Sequence, residues 1–276
     1  MSELDALRAE LRGMERVAVA FSGGADSAFL AWVATRTLGR DRVLCVTAVS
    51  PSLAPEELAD VRALAEEWDL RLVEVETEEL ADPAYAANDG SRCYHCKATL
   101  MDAVEAVCAG EGGGPWTVAL GVNLDDLHDH RPGQQAAAER GAVFPLVTAG
   151  LDKPTVRALS RAIGLSTWDR PAAACLASRV PHGTPVTFAV LERVAAAESA
   201  LRRLGFGALR VRHYGDVARI ELPLEDLGRA LERRESVVDA VRSAGYRYVT
   251  LDLEGLRSGN LSRAAVESAG RRGVDR

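Results

Sequence analysis

The sequence predicts an α/β fold, a doubly wound parallel sheet followed by a smaller C-terminal α+β domain, on three observations. Short apolar, β-branched runs alternate with stretches of helical periodicity up to residue 165, the pattern of buried parallel strands covered on both faces by helices. The first of these runs, Arg16 to Phe21, stops abruptly at Ser22-Gly23-Gly24 and passes at once into a helical pattern, which reads as strand, tight turn and helix. Beyond residue 184, two closely spaced strand-like segments are followed by a helix and a further strand, the order of a small α+β unit. The domains are accordingly placed at 1–183 and 184–276.

Each element has its own signal. The opening MSELDALRAELR is an amphipathic, charged helix without the basic and apolar regions of an export signal. After the first strand, AFLAWVATRTL is a helix, Arg42 to Val49 a strand, and APEELADVRALAEEW a helix with acidic residues in its first turn, where the helix dipole favours them. RLVEVET is the next strand, a helix runs from about Lys97 to Cys108, and Trp116 to Val122 is a strand. Lys153 to Leu165 is a closing helix. The irregular STWDRPAAACLASRVPHGTPVT that follows is expected to be a hinge and reactive loop. A helix over Phe188 to Leu204, strands ALRVRHY and VARIELP, a helix over Leu227 to Ala244 and the strand YRYVTLDL complete the chain.

Composition narrows the function. With 276 residues, 47% hydrophobic and 26% charged, the chain can bury a substantial core. Its net charge of −7 disfavours a large nucleic-acid footprint, which needs clustered Lys and Arg. No apolar run approaches the ~20 residues needed to span a bilayer, so the reading is a cytoplasmic protein with no membrane partner. Five cysteines, an odd number, point to thiol, metal or cluster chemistry more than to a disulfide framework.

Ser22, Gly23, Gly24, Asp26 and Ser27 occupy the turn between a buried strand and a helix start. There glycines let the backbone approach an anion, and the orphan N–H groups of the helix point at it. Phosphate is the natural guest, and the bland alternative is a capped helix. The turn lacks the Gly-Lys-Ser/Thr of a Walker loop. Gly121, at the end of a later strand, is the candidate second edge of an ATP pocket, although a lone glycine equally ends a strand.

Cys93 and Cys96 form a CxxC, and Cys175 follows far downstream in AACLASR. Three readings stand side by side: a zinc site, which needs a fourth ligand such as the poorly spaced His95; a dithiol pair, which leaves Cys175 unexplained; and a four-iron four-sulfur cluster on three cysteines. Cys45, in an apolar strand, and Cys108, on a helix face, read as buried small hydrophobes. Trp168, His128, His130 and His182 read as packing or loop-surface residues, and Glu221 and Asp216 as partners of neighbouring arginines.

The SGGxDS turn resembles the PP-loop family, whose members cleave ATP between the α and β phosphates. That likeness implies a HUP-like PP-loop ATP pyrophosphatase domain, pyrophosphate held by the loop, and Mg²⁺ organised by Asp26. The DxRPG segment at Asp129 to Gly133, ACLxSRxPxG from Ala174 to Gly183, RVRxxxxxARIELP from Arg210 to Pro223 and RYVTLDLxGxRSG from Arg247 to Gly259 extend the likeness. Over nearly its whole length the chain resembles the LarE sulfur transferases. What this implies is adenylation of a carboxylate of pyridinium-3,5-biscarboxylic acid mononucleotide with ATP and Mg²⁺. Conversion to a thiocarboxylate follows, in the biosynthesis of the nickel-pincer nucleotide of lactate racemase. It also implies that Ser178, Arg210 and Arg212 bind the substrate phosphate. Arg179 lies in the same cationic stretch and Arg257 is a weaker candidate. Guanidinium forks suit phosphate, while alternating Arg210 and Arg212 on a solvated strand face is the plain alternative.

The family has two sulfur sources. In one branch the cysteine matching Cys175 gives up its own sulfur and becomes dehydroalanine; in the other, three cysteines hold a [4Fe-4S] cluster that carries sulfur catalytically. The CxxC favours the cluster branch, with Cys93, Cys96 and Cys175 as ligands and Cys175 as the catalytic thiol. A homo-oligomer and a sulfide source or donor protein are further implications. The rivals are PP-loop tRNA thiolation, which the acidic composition opposes, an amidotransferase-type synthetase, which leaves the three cysteines idle, and a non-catalytic adenine-nucleotide-binding module.

Overall fold

In the computed structural model, residues 2–128, 132–171 and 174–257 are described. In chain order the elements are α1 (Glu3–Arg12), β1 (Val17–Ala20), α2 (Ala25–Leu38), β2 (Val43–Val49), α3 (Pro55–Glu67), β3 (Leu72–Glu76), α4 (Pro83–Ala86), α5 (Arg92–Gly110), β4 (Thr117–Leu120), α6 (Pro132–Glu139), α7 (Pro145–Thr148), α8 (Lys153–Ala162), α9 (Phe188–Arg203), β5 (Arg210–Tyr214), β6 (Val217–Glu221), α10 (Leu227–Glu232), α11 (Arg234–Ser243) and β7 (Tyr248–Leu251). The chain forms two units. One comprises residues 1–50, 55–79 and 93–173; the other comprises 51–54, 80–92 and 174–276.

The first unit is built on a four-stranded sheet in the order β3-β2-β1-β4, every pair parallel. Val17 faces Val43 on one side and Thr117 on the other, so β1 is central and all four of its residues are buried. A short, wholly apolar strand is what a sheet covered on both faces requires. On one face, Leu7, Leu11, Phe29, Leu30, Val33 and Leu151 pack into a core with Val17 and Val19; on the other, Val104 packs with Ala18, Leu44 and Val46. Because β2 and β4 flank β1, the chain leaves the sheet in opposite directions on its two sides. The crevice at the carboxyl end of β1 is therefore the switch point where α/β sheets bind ligands.

The second unit holds a three-stranded sheet in the order β5-β6-β7, with β5 antiparallel and β7 parallel to β6. Its core is made by Leu201, Phe206, Val211, Ile220, Leu222, Val241 and Tyr246. This is the doubly wound parallel sheet plus small α+β sheet that the sequence predicts.

Two boundaries differ from expectation. The helix expected from Lys97 begins at Arg92, after a turn in which the Asp89 side chain accepts from Ser91 N (2.7 Å) and Arg92 N donates to Asp89 O (3.3 Å). The helix expected over 227–244 is broken at Arg233, whose backbone leaves the helical region and whose guanidinium donates to Leu204 O (2.6 Å). The short helices α4, α6 and α7 have too few residues to show a period. Among the described residues, no helix is long and apolar enough to cross a membrane.

Candidate functional site

The first unit presents the turn that ends β1. Phe21 N donates to Val46 O (2.8 Å) and Thr47 Oγ1 to Phe21 O (2.6 Å), so the chain stays in register with β2 until Ser22. Gly23 then adopts φ +69°, and a Cβ there would stand 3.0 Å from Val61 Cγ2, so both conformation and space call for glycine. Gly24 caps α2 without a side-chain hydrogen bond. The first-turn N–H groups of α2 are therefore left for an external acceptor such as phosphate. Ser22 and Ser27 close the turn through their hydroxyls (3.0 Å), and Ser27 Oγ donates to Gly24 O (3.2 Å).

Asp26 sits in that first turn. One carboxylate oxygen pairs with Lys153 Nζ, and the other, Oδ1, is buried with no hydrogen-bond partner among the described residues. An orphaned hard oxygen beside a phosphate-binding turn fits Mg²⁺, which takes one or two carboxylates together with substrate phosphates. Gly121 meets the turn from the end of β4. A Cβ on it would lie 2.6 Å from Ser27 N and 2.8 Å from Asp26 C, so its missing side chain seats α2 against the sheet.

Three residues here escaped sequence reasoning. Lys153 opens α8, Asp125 Oδ2 accepts from Lys153 N (2.8 Å), and Arg170 donates to Gly23 O (3.0 Å) while pairing with Asp60. A cation at the first position of a helix is disfavoured by the helix dipole, and that misfit was the one local signal that Lys153 serves something outside its own helix.

The early start of α5 puts Cys93 and Cys96 within its first two turns, Cys93 exposed and Cys96 part-buried. Gly133 packs against Cys93 and Lys97: a Cβ would stand 3.0 Å from Cys93 O and 3.5 Å from Lys97 Cβ. The rest of the DxRPG motif before Pro132, and the side chains of His128 and His130, lie outside the described residues. Burial pulls the Lys97 ammonium below its ordinary pKa, and the charges of Cys96 and Cys93 partly offset this. Cys45 is wholly buried and its thiol is pushed up to about 12; Cys108 is part-buried and pushed up to about 11. Both are inert thiols, as their apolar settings predict. Among the described residues, no three Cys, His, Asp or Glu side chains stand together as a metal-binding group.

In the second unit, Cys175 precedes a single 3₁₀ turn, Leu176–Arg179. Leu176 N donates to Ser52 O (2.8 Å) and Ser178 N to Cys175 O (2.9 Å). Arg179 is buried. It donates through Nε and Nη2 to Glu198 (2.9 and 3.2 Å), and through Nη1 to Ala174 O, Cys175 O and Ser178 Oγ. Arg212 is buried as well, paired with Glu221 (2.8 Å) and donating to Ser178 O (2.8 Å), while its Nε is buried with no hydrogen-bond partner among the described residues. It is therefore not on a solvated strand face. Arg210 is part-buried and donates to Arg257 O (2.9 Å). Burial, then the charges of Arg212 and Arg179, hold the Arg210 guanidinium below its ordinary pKa. Three guanidiniums thus crowd one turn, and Glu221 is shared with Arg219 (3.0 Å). The local surplus is positive, as an anion site requires.

Glu221 pairs arginines as expected, whereas Asp216 offers its carbonyl to Arg247 N and Tyr248 N (3.0 Å each). Trp168 is part-buried under Arg161 (4.9 Å), and His182 Nδ1 stands 3.4 Å from Asn88 O. The side chain of Arg257 pairs with Glu254.

Residues 4–100 match the family model for NAD synthase, a PP-loop family. The chain is 44% identical to an uncharacterised protein of Synechocystis sp., over 96% of this chain and 99% of that one. It is 25% identical to an uncharacterised protein of Methanocaldococcus jannaschii, over 88% and 92% of the two chains. To the pyridinium-3,5-bisthiocarboxylic acid mononucleotide synthase of Lactiplantibacillus plantarum it is 38% identical, over 93% of this chain and 92% of that enzyme. With the PP-loop turn at the switch point of a parallel sheet and likeness running nearly end to end, the chain belongs to the LarE family of pyridinium-3,5-bisthiocarboxylic acid mononucleotide synthases.

Proposed function

We propose that the chain is a cytoplasmic, ATP-dependent sulfurtransferase. It adenylates a carboxylate of pyridinium-3,5-biscarboxylic acid mononucleotide and converts it to a thiocarboxylate for nickel-pincer nucleotide synthesis. The observation that carries this reading is the uncapped α2 turn at the end of β1, with Asp26 Oδ1 orphaned beside it. The 38% identity to a synthase of the bisthiocarboxylic acid supports the substrate class.

The chemistry divides between the two units. Ser22, Gly23, Gly24 and Ser27 would cradle the β and γ phosphates of ATP, with Gly121 seating the turn and Asp26 holding Mg²⁺. The substrate carboxylate oxygen attacks the α-phosphorus, the bond to the β-phosphate oxygen breaks, and pyrophosphate leaves. A carboxylate oxygen is a poor leaving group and AMP a good one, so the acyl adenylate is open to sulfur. Hydrosulfide attacks its carbonyl carbon, AMP departs, and a proton is released. Ser178, Arg179, Arg210 and Arg212 would hold the substrate phosphate; the Nε of Arg212, which has no hydrogen-bond partner among the described residues, is a donor open to it.

Cys93, Cys96 and Cys175 are the residues that would hold a [4Fe-4S] cluster, which supplies an open iron for an extra sulfide. A sulfide source or donor protein would then recharge it. Residues 1–183 would form the PP-loop ATP pyrophosphatase domain, and 184–276 a small α+β domain that completes substrate binding and mediates self-association into a homo-oligomer.

A second reading is favoured by the place of Cys175 on the same turn as Ser178 and Arg179. In it the Cys175 sulfur attacks the acyl adenylate and displaces AMP. Loss of the Cα proton then sends the Cβ–S electron pair to sulfur, leaving thiocarboxylate and dehydroalanine.

One experiment tests both. The protein and its Cys93→Ala, Cys96→Ala and Cys175→Ala variants are reconstituted anaerobically with iron and sulfide, then given MgATP and the biscarboxylic acid mononucleotide. Substrate-dependent pyrophosphate release with about four irons per chain, the iron but not the pyrophosphate release being lost in all three variants, supports the cluster reading. Pyrophosphate release without iron, with Cys175 losing one sulfur and two hydrogens, supports the sacrificial one. No pyrophosphate release overturns both and leaves a nucleotide-binding module.

A further inference from the structure

Two buried polar side chains outside the nucleotide turn and the arginine cluster converge on the Cys175 loop. Asn88 is wholly buried and adopts φ +54°, a left-handed conformation that asparagine tolerates better than any other residue with a Cβ. Its Nδ2 donates to Pro181 O (2.9 Å) and Thr184 O (2.8 Å), and approaches Val180 O at 3.4 Å. Its Oδ1 accepts from Arg92 Nη1. That assignment of the amide is compelled, since the reverse would set its oxygen against three carbonyls. Gly183 N closes the ring by donating to Asn88 O (3.0 Å). Arg92, also buried, donates from the same Nη1 to Ala177 O (2.9 Å).

A single pair of side chains thus holds four carbonyls of the segment 177–184. Burying a guanidinium on two neutral oxygens is costly and is not what simple packing calls for. Position gives it meaning: Arg92 immediately precedes Cys93 in the chain, and the carbonyl it holds is two residues from Cys175.

We propose that Asn88 and Arg92 are positioning residues that fix the turn carrying Cys175. They act by holding the turn through the carbonyls of Ala177, Val180, Pro181 and Thr184. The proposal rests on the reading of Cys175 as a sulfur-handling residue.

The test uses the full chain with Arg92→Met, Arg92→Lys and Asn88→Gly; glycine keeps the left-handed backbone without strain. The first readout is the rate at which iodoacetamide labels Cys175, followed by peptide mass, together with amide exchange at Leu176, Ser178, Val180 and Gly183. In Arg92→Met and Asn88→Gly, labelling and exchange are expected to accelerate about tenfold, the factor given by losing roughly one net buried hydrogen bond. Arg92→Lys, which retains a charged donor, should return toward wild type. Labelling and exchange unchanged in a folded Arg92→Met or Asn88→Gly variant would overturn the proposal; if one variant does not fold, the other decides.

The second readout is the visible and electron-paramagnetic signature after anaerobic iron–sulfide reconstitution. Iron held by wild type and lost in Arg92→Met, with recovery in Arg92→Lys, supports positioning beyond mere folding. Should wild type hold no iron, the cluster reading fails on its own, and the labelling rates still decide the clamp.

Discussion

Replacing Gly121 by alanine tests the nucleotide turn most directly. The new Cβ would stand 2.6 Å from Ser27 N and 2.8 Å from both Asp26 C and Ser27 Cα. All three are backbone atoms at the first turn of α2, so no flexible side chain can yield. Reaching ordinary van der Waals separation requires the α2 start and the β4 end to part by more than about half an ångström. Overpacking of this kind costs about 1–3 kcal/mol. The displacement falls on the N–H groups assigned to phosphate, where an error approaching 1 Å costs up to about a hundredfold. Gly121→Ala is therefore expected to lower the urea midpoint and weaken MgATP binding about ten- to a hundredfold, measured by titration calorimetry. Gly110→Ala, where a Cβ meets nothing within 4 Å, should lower neither the midpoint nor the affinity. A Gly121→Ala protein that is destabilised yet binds MgATP as wild type does would refute the assignment of the turn to phosphate. One unaltered in both respects would refute the packing itself.

Two further outcomes follow from the second unit. Glu198 is wholly buried and accepts from Arg179, Arg202 and Val211 N, so Glu198→Gln should cost about 3 kcal/mol in urea unfolding, as when a buried ion pair loses one member. A loss under about 1 kcal/mol, the range of exposed pairs, would show that Arg179 finds its compensation elsewhere. His213, beside the Tyr246 hydroxyl (3.1 Å), is held below its ordinary value of 6.5 by burial and then by Arg193. The folded state therefore prefers neutral imidazole. The resulting stability is present above 6.5 and lost as pH falls through the lower folded value. Between about pH 7.5 and 5.5 the urea midpoint should fall less in His213→Gln than in wild type, and equal falls would count against this histidine as a source of acid sensitivity.

The parallel sheet, the helices against it and the turn at Ser22–Ser27 were legible because each is written locally. Strands such as Val17–Ala20 are short apolar runs, and the glycines stand where the backbone must turn. The small C-terminal sheet was legible from the spacing of β5 and β6. The start of α5 was missed because RCYHC carries no apolar period of its own; the turn before it is shaped by the Asp89 side chain, which accepts from Ser91 N. The break between α10 and α11 was missed because no Gly or Pro marks it; Arg233 instead turns to satisfy Leu204 O.

By itself, the sequence determined the period of its apolar residues, the positions of its glycines and the inventory of thiols and guanidiniums, and these set the fold class and the candidate chemistry. Tertiary structure alone decided which of those groups face which. Lys153 reaches Asp26 across 127 residues, Arg212 is turned inward to Glu221, and Asn88 grips carbonyls more than 90 residues away. The physical reason is that a buried polar atom must find its partner wherever the packed chain brings one. Its choice depends on distances in space, and no local pattern of residues records those.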